Sequence, residues 1–291
     1  MPLRETLFSL LQYPLPHHAL SRLMHHLTRC ENRAWKDAFI RRIIQLYRVD
    51  MAEALQPDPA AYPSFNAFFT RALKPDARPL CPDPDAVLCP ADGAISQIGD
   101  IEAGSIFQAK GKSYTATELL GGDPARAAAF QNGKFATVYL SPRDYHRLHM
   151  PLAGTLREMV HVPGRLFSVN NATARQVPNL FARNERVAAI FETEAGPMAL
   201  VLVGAIFVAS IETVWQGVVT PPAGTTVRTW DYRDTPVRLE RGQEMGRFNM
   251  GSTIIVLFGE NAVDWEALAH GDKVKMGGIL GRRPPVAVAS P

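Results

Sequence analysis

Cysteine is scarce. Only Cys30, Cys81 and Cys89 occur in 291 residues, an odd number with no CxxC pair. No disulfide framework is implied, and a reducing compartment is expected. Long apolar runs are missing too. The longest, Met198 to Ile211, is shorter than a membrane span and contains Gly204 and Ser210, so it reads as buried strand. No secretory pattern is expected in residues 1–16, where Pro2, Pro14 and Pro16 stand and no cleavage site follows an apolar core. Charge of one sign is also lacking. Lysine and arginine number 31 against 28 acidic residues, a formal +3. With no zinc-finger or RNP signature, nucleic acid is not an expected partner. No repeat of 20–50 residues is detectable. The histidines His17, His18, His25 and His26 have no carboxylate or cysteine cluster beside them, so no metal is expected. These absences leave a soluble or peripheral protein, and mild basicity agrees with contact at an anionic membrane surface.

What is present is a 46% hydrophobic fraction, enough for one large or two modest domains. Residues 1–50 are predicted helical. Leu3, Leu7, Leu10 and Leu11 recur at helical spacing until Pro14 and Pro16, and Pro16 can start the next helix. Leu20, Leu23, Met24 and Leu27 give a second stripe. Trp35, Phe39, Ile40, Ile43, Ile44 and Tyr47 give a third, flanked by arginines and a lysine. Such helices either pack on a catalytic body or lie in a lipid interface. Residues 56–90 are proline-rich. Within them Phe65 to Leu73 predicts a short helix capped by Ser64, followed by an extended linker at about 74–88.

From Val87 onward strands and turns are expected. Ala94–Ile98, Phe135–Leu140, Val187–Glu192, Ala199–Val208, Val214–Val219 and Ile254–Phe258 are the predicted strands. The Gly271–Gly278 segment alternates between turns. The fold class expected is α+β: an N-terminal helical, membrane-associating region over 1–75, then a mostly antiparallel β catalytic domain over 76–291 with barrel-sandwich-like elements.

One stretch organises the chemistry. Gly246 to Gly259 reads GRFNMGSTIIVLFG, with Gly251 directly before Ser252. Gly251 leaves its carbonyl open to close approach, and Ser252 supplies a hydroxyl one residue later. That is the layout for attack by a serine on its own preceding carbonyl. Thr253 is not the attacker, since the carbonyl before it belongs to Ser252. Two further stretches carry acid and base groups: Pro90-Ala91-Asp92-Gly93, and Ser141 to Pro151, which reads SPRDYHRLHMP. A carboxylate, two histidines and a serine form a nucleophile, base and orienter set. His146 and His149 lie three apart and are expected to face alike on a helical turn. Arg143 and Arg147 are expected to be structural ion-pair partners.

Together these three motifs make the chain resemble the bacterial-type phosphatidylserine decarboxylase family over most of its length. Met250 stands where that family usually has leucine, a change of little volume. The resemblance implies self-cleavage between Gly251 and Ser252, giving a beta chain, 1–251, and an alpha chain, 252–291. An ester formed by Ser252 undergoes β-elimination, and hydrolysis leaves a pyruvoyl group on the new chain end. That group then forms a Schiff base with phosphatidylserine, and carbon dioxide and phosphatidylethanolamine are released. By the same resemblance Asp92, His149 and Ser252 form the self-processing triad, and His146 serves the substrate step. Val162 to Asn170 also resembles a family segment, within which the backbone N–H groups of Gly164 to Ser168 and the Ser168 hydroxyl are expected to face a head-group phosphate. The expected setting is peripheral, on the cytoplasmic side of the cell membrane. The two fragments are expected to stay together as a heterodimer that dimerises further. Two rival readings are a non-enzymatic barrel-sandwich carrier, whose attachment lysine would be Lys275, and a serine hydrolase using Asp92, His149 and Ser252. The first lacks the flanking methionine before the lysine, and the second lacks a GxSxG elbow.

Overall fold

The computed structural model describes residues 3–206, 210–221, 224–250 and 253–285. Its centre is the strand Thr253–Phe258, every residue of which is buried. Ile254, Val256 and Phe258 point into one apolar cluster and Ile255 and Leu257 into another, on opposite faces. A strand buried on both faces shows a continuous apolar run instead of alternation, which is why it was legible as IIVLF. It lies between Gly196–Val203 and Lys134–Tyr139 in a nine-stranded sheet. The order across that sheet runs Arg228–Asp231, Gly154–Val162, Arg186–Thr193, Gly196–Val203, Thr253–Phe258, Lys134–Tyr139, Gly93–Asp100, Lys273–Val274, with Val237–Leu239 also pairing on Gly154–Val162. All these pairings are antiparallel.

A four-stranded sheet, Gly217–Thr220, Ile211–Thr213, Glu244–Phe248 and Arg147–His149, packs beside it. Among the described residues no closed barrel forms; the mixed, mostly antiparallel architecture agrees with the expected α+β class, while its barrel-sandwich elements stay open sheets. The Val214–Val219 strand of the sequence reading is in fact a hairpin. Val214, Trp215 and Gln216 form its turn, Gly217 at φ +71° starts the return strand, and of the apolar residues expected in that strand only Val218 and Val219 lie in one. The Ala199–Val208 strand ends at Val203, and residues 207–209 lie outside the described residues.

Three N-terminal helices sit on this body: α1 (Leu3–Leu11), α2 (His17–Arg29) and α3 (Arg33–Tyr47). Asn32 caps α3 by accepting the Trp35 N–H, and Arg48 in the left-handed conformation ends it. The short helix α4 (Phe65–Phe69) follows, with Ser64 Oγ accepting the Ala67 N–H at 3.2 Å as anticipated. Phe39 of α3 stacks on Phe65 of α4 at 4.2 Å between ring centroids. The docking is also polar. Glu5 pairs with Arg175 at 2.5 Å, and the Gln12 side chain accepts the Ser168 N–H at 2.8 Å. The His17 ring donates to the Gln12 carbonyl and accepts the Leu166 N–H, and His18 donates to the Gly164 carbonyl. These two histidines are structural. Among the described residues no group of three or more His, Cys, Asp or Glu is placed to hold a metal. The helices are thus anchored to the sheet, yet α1 leaves Leu7, Leu10 and Leu11 more than half exposed. Among the described residues no helix is long and apolar enough to cross a membrane.

Candidate active site

The strand register fixes where the motifs meet. Thr253 pairs with Tyr139 on one side and Val203 on the other, and Tyr139 pairs onward with Ala94. Four chain segments therefore leave the sheet at one end: Asp92-Gly93 before its strand, Leu140 to Tyr145 after Tyr139, Gly204 to Ile206 after Val203, and Met250 before Thr253. Gly251 and Ser252 themselves lie outside the described residues. The residues that lead to them are held firmly. The Phe248 N–H binds the His146 carbonyl at 3.1 Å, and the Asn249 N–H binds the Ser210 carbonyl at 2.9 Å. Met250 then adopts φ +131°, a conformation L residues avoid. Such strain stores about 1–3 kcal/mol, next to the Gly251 carbonyl.

Two clefts flank this end of the sheet. A polar one of about 280 Å³ is lined by Asp92, Gly93, Asp144 and Tyr145 together with charged residues of the linker and the 273–275 segment. An apolar one of about 310 Å³ is lined by Ile43 and Tyr47 of α3, Phe65 and Phe69 of α4, Ser168, Met250 and their neighbours.

Asp92 is buried and fully engaged. Arg78 Nε donates to both carboxylate oxygens, at 2.8 and 3.0 Å, Arg78 Nη2 adds a further short contact, and the Met276 N–H donates to Oδ1 at 2.9 Å. Burial opposes the Arg78 charge, but its bonds to Asp92 and Glu53 prevail and hold its pKa above the usual value. His149 is half-buried. Its Nδ1 lies 2.8 Å from the Gly242 carbonyl, so that nitrogen carries the proton, and its Nε2 lone pair accepts the Tyr145 hydroxyl at 3.1 Å. Burial pulls its pKa down, with the Gly242 carbonyl and the charges of Glu244 and Asp92 opposing. Asp92 thus acts on His149 through its field, and its own hydrogen bonds go to Arg78 and Met276.

His146 is wholly buried. Its Nδ1 donates to the Asp144 carbonyl at 2.8 Å, and its ring lies 4.0 Å from that of Phe69. Nε2 has no partner. Burial pushes its pKa down to about 3, and Arg71 adds to the shift. The residue is a neutral imidazole with an unused lone pair. The two histidines do not share a helical turn. Arg147–His149 is a strand paired with Glu244–Phe248, and His146 stands just before it, so the rings diverge. Arg147 pairs with Glu244 at 2.9 Å and Arg143 approaches Asp144 at 3.8 Å, the structural roles expected of them.

Four of the five N–H groups from Gly164 to Ser168 are already bonded within the protein. The amides of Arg165, Leu166, Phe167 and Ser168 are taken by Arg183, His17, Asn184 and Gln12. The Ser168 side chain remains on the wall of the apolar cleft. Sequence reasoning missed Tyr145, Arg78 and Gly242. Tyr145 stood inside a quoted motif, but nothing in one dimension pairs it with His149. Lys275, the lysine of the carrier reading, is tied to Glu53 at 3.2 Å.

A buried acid, two differently buried imidazoles and the strained Met250 lie at the open end of the sheet, groups an enzyme site can use for acid–base chemistry. Residues 65–282 match the sequence profile of the phosphatidylserine decarboxylase family, and residues 7–48 match a second profile described as PSD. The chain is 62% identical over 288 residues to the phosphatidylserine decarboxylase proenzyme of Pseudomonas fluorescens, covering 98% of this chain and 100% of that one. It is 60% identical over 295 residues to the proenzyme of the same description from Bordetella pertussis, covering 100% and 99%. The chain belongs to the phosphatidylserine decarboxylase family.

Proposed function

We propose that this chain is a phosphatidylserine decarboxylase that cuts itself between Gly251 and Ser252 to make its own pyruvoyl group, and then converts phosphatidylserine to phosphatidylethanolamine and carbon dioxide. The observation that carries this reading is the convergence of Asp92, His146, His149 and the strained Met250 at the sheet end where residue 253 emerges. Ser252 is the nucleophile. His149 takes its proton, once Tyr145 releases the Nε2 lone pair. The Asp92 charge favours the imidazolium that forms, without contact. General-base help of this kind is worth roughly 10²–10⁴-fold.

The surroundings fit a small ketone at position 252. Thr253 Oγ1 and His146 Nε2 are both buried without a partner, the first adjacent in sequence and the second on a residue whose backbone carbonyl accepts the Phe248 N–H. A pyruvoyl carbonyl there supplies an electrophile for the substrate amine and a sink for the electrons released with carbon dioxide. His146, neutral with its lone pair open, accepts a proton from the substrate ammonium and returns it to the carbon that loses carbon dioxide. Ser168 lines the apolar cleft as a hydroxyl donor to the lipid. The cleft between α3, α4 and the sheet end receives the glycerol and first acyl carbons.

The fragments 1–251 and 252–291 stay together as a heterodimer. Thr253–Phe258 is paired along its whole length with both neighbours, and the Met276 N–H holds Asp92 of the other fragment. This heterodimer dimerises further. The exposed leucines of α1 seat the enzyme peripherally on the cytoplasmic face of the cell membrane. Intact-mass measurement of purified protein tests the reading: two fragments are expected, the smaller with a pyruvoyl terminus, beside carbon dioxide release from phosphatidylserine. Ser252→Ala stays one chain and releases none. An active enzyme of unprocessed mass would sink the proposal.

A further inference from the structure

Among the described residues three arginines, Arg71, Arg78 and Arg186, are buried, and they differ in how they are satisfied. Arg186 is 2% exposed, and all three of its nitrogens donate to carbonyls, those of Leu119, Ala182, Asn184 and Glu118. Arg78 is paired with two carboxylates. Arg71, 4% exposed, is left short. Its Nη2 donates to the Arg143 carbonyl at 3.0 Å, while Nε and Nη1 have no partner. Among the described residues no carboxylate lies within ion-pair distance of it. Its one other support is the Phe68 ring, 5.4 Å from the guanidinium carbon. An uncompensated buried charge costs several kcal/mol, so a fold that satisfies Arg186 completely leaves Arg71 open for a partner.

The open donors have a shape. A guanidinium presents two forks, Nε with Nη2 and Nη1 with Nη2. Whichever Nη2 hydrogen binds the Arg143 carbonyl, one complete fork remains. Such a fork matches two oxygens of a phosphate or carboxylate. The cleft that Arg71 lines has a surplus of the right sign, with Arg48, Arg71, Arg78, Arg143, Lys273 and Lys275 set against four carboxylates. Those carboxylates are already engaged. Glu53 and Asp92 hold Arg78, Asp144 accepts from Ser141, and Asp50 accepts the Ala52 N–H. Arg71 and His146 also hang from successive carbonyls, those of Arg143 and Asp144, so both side chains are held by the same short segment.

We propose that Arg71 is the phosphate-binding residue for the lipid head group, receiving two phosphodiester oxygens on its free fork. This rests on the decarboxylase reading above. The choice between the two anionic groups of phosphatidylserine follows from the reaction. The carboxylate loses its charge as carbon dioxide leaves, so a cation fixed on it would stabilise the ground state more than the transition state and slow the step. The phosphodiester keeps its charge throughout. An arginine there binds ground and transition states alike and acts on KM more than on kcat.

The test uses the processed enzyme with phosphatidylserine in mixed micelles, rates normalised to the cut fraction. Arg71→Met is expected to raise KM at least tenfold with a much smaller change in kcat, and Arg71→Lys to fall between. The thermal midpoint of Arg71→Met should equal or exceed that of the wild type, because an unpaired buried charge is removed. Inhibition by glycerophosphoserine should weaken at least tenfold in Arg71→Met, while inhibition by L-serine stays the same. An unchanged KM, or a lowered midpoint in both variants, overturns the assignment and makes Arg71 unneeded or structural. Loss of L-serine inhibition instead overturns the choice of phosphate. Inorganic phosphate inhibiting as strongly as glycerophosphoserine would make this a free-phosphate site and overturn the head-group assignment. A wild-type chain that neither cuts nor releases carbon dioxide would remove the functional reading itself; normal wild-type turnover beside an unchanged Arg71→Met removes only this inference.

Discussion

The two clefts at the end of the sheet are built from opposite materials, and a histidine packs against one lining residue of each. The polar cleft holds Asp92 and Tyr145, and the Tyr145 hydroxyl binds His149. The apolar cleft holds Phe69, whose ring covers His146. Both imidazoles are anchored the same way, Nδ1 to a backbone carbonyl, so both present Nε2 as a lone pair. Their surroundings then separate them. His149 is half-buried and partnered, with carboxylate charge near it, so a proton taken there is tolerated. His146 is dry and unpartnered, and it gains a proton only from a group brought against it. The difference teaches that environment, more than residue type, sets what each of two identical side chains can do with a proton.

The sharpest way to break this comparison is to remove each ring. His149→Ala is expected to accumulate uncut chain. His146→Ala is expected to cut, fully or partly, yet to turn over 10²–10⁴-fold more slowly, about 3–5 kcal/mol of barrier. A gel for cleavage beside carbon dioxide release per cut molecule reads both. Normal turnover in cut His146→Ala, or wild-type cutting in His149→Ala, would end the division of labour.

The apolar side can be tested from outside. Leu7, Leu10 and Leu11 of α1 are 55%, 58% and 58% exposed. Replacing all three by glutamate is expected to abolish flotation with anionic liposomes while self-cleavage continues. Substitution is the better tool here than truncation, because α3 contributes Phe39 and Ile40 to the Phe65–Phe69 cluster and its loss would expose a core. Equal flotation of both proteins would reject α1 as the anchor.

The smallest expected effect is on acid stability, and it sharpens the contrast in burial. His146 stays neutral in the folded chain down to about 3, whereas the unfolded chain takes up the proton near 6.5. Its contribution to stability is therefore complete above pH 6.5 and drains as pH falls toward 3, at up to about 1.4 kcal/mol per pH unit. Urea midpoints at pH 7 and 5.5, above the carboxylate range, should draw together in His146→Gln. An unaltered pH slope would show that the ring is not held neutral by burial. His17 and His149, also lowered by burial, contribute in the same direction.

Much of the molecule was legible in one dimension because the signals are local. Helical spacing gave α1, α2 and α3, Ser64 gave the cap of α4, and an unbroken apolar run gave the doubly buried Thr253–Phe258 strand. The motif residues were legible as chemistry, since Gly251 before Ser252 is a statement about adjacent atoms. By itself the sequence determined the residue types at the site, the family, and the absence of any long apolar span. Only the tertiary structure decided which partners those residues have. The His146–His149 spacing suggested a helical turn, but pairing with Glu244–Phe248 made it a strand and set the rings against different neighbours, Phe69 and Tyr145. The Arg165–Ser168 amides looked open until Gln12, His17, Arg183 and Asn184, distant in sequence, were found on them. Nothing in the sequence singles out Arg71. Its significance lies in what surrounds it, a desolvated pocket with donors left over, and desolvation is a property of packed neighbours that no local pattern encodes.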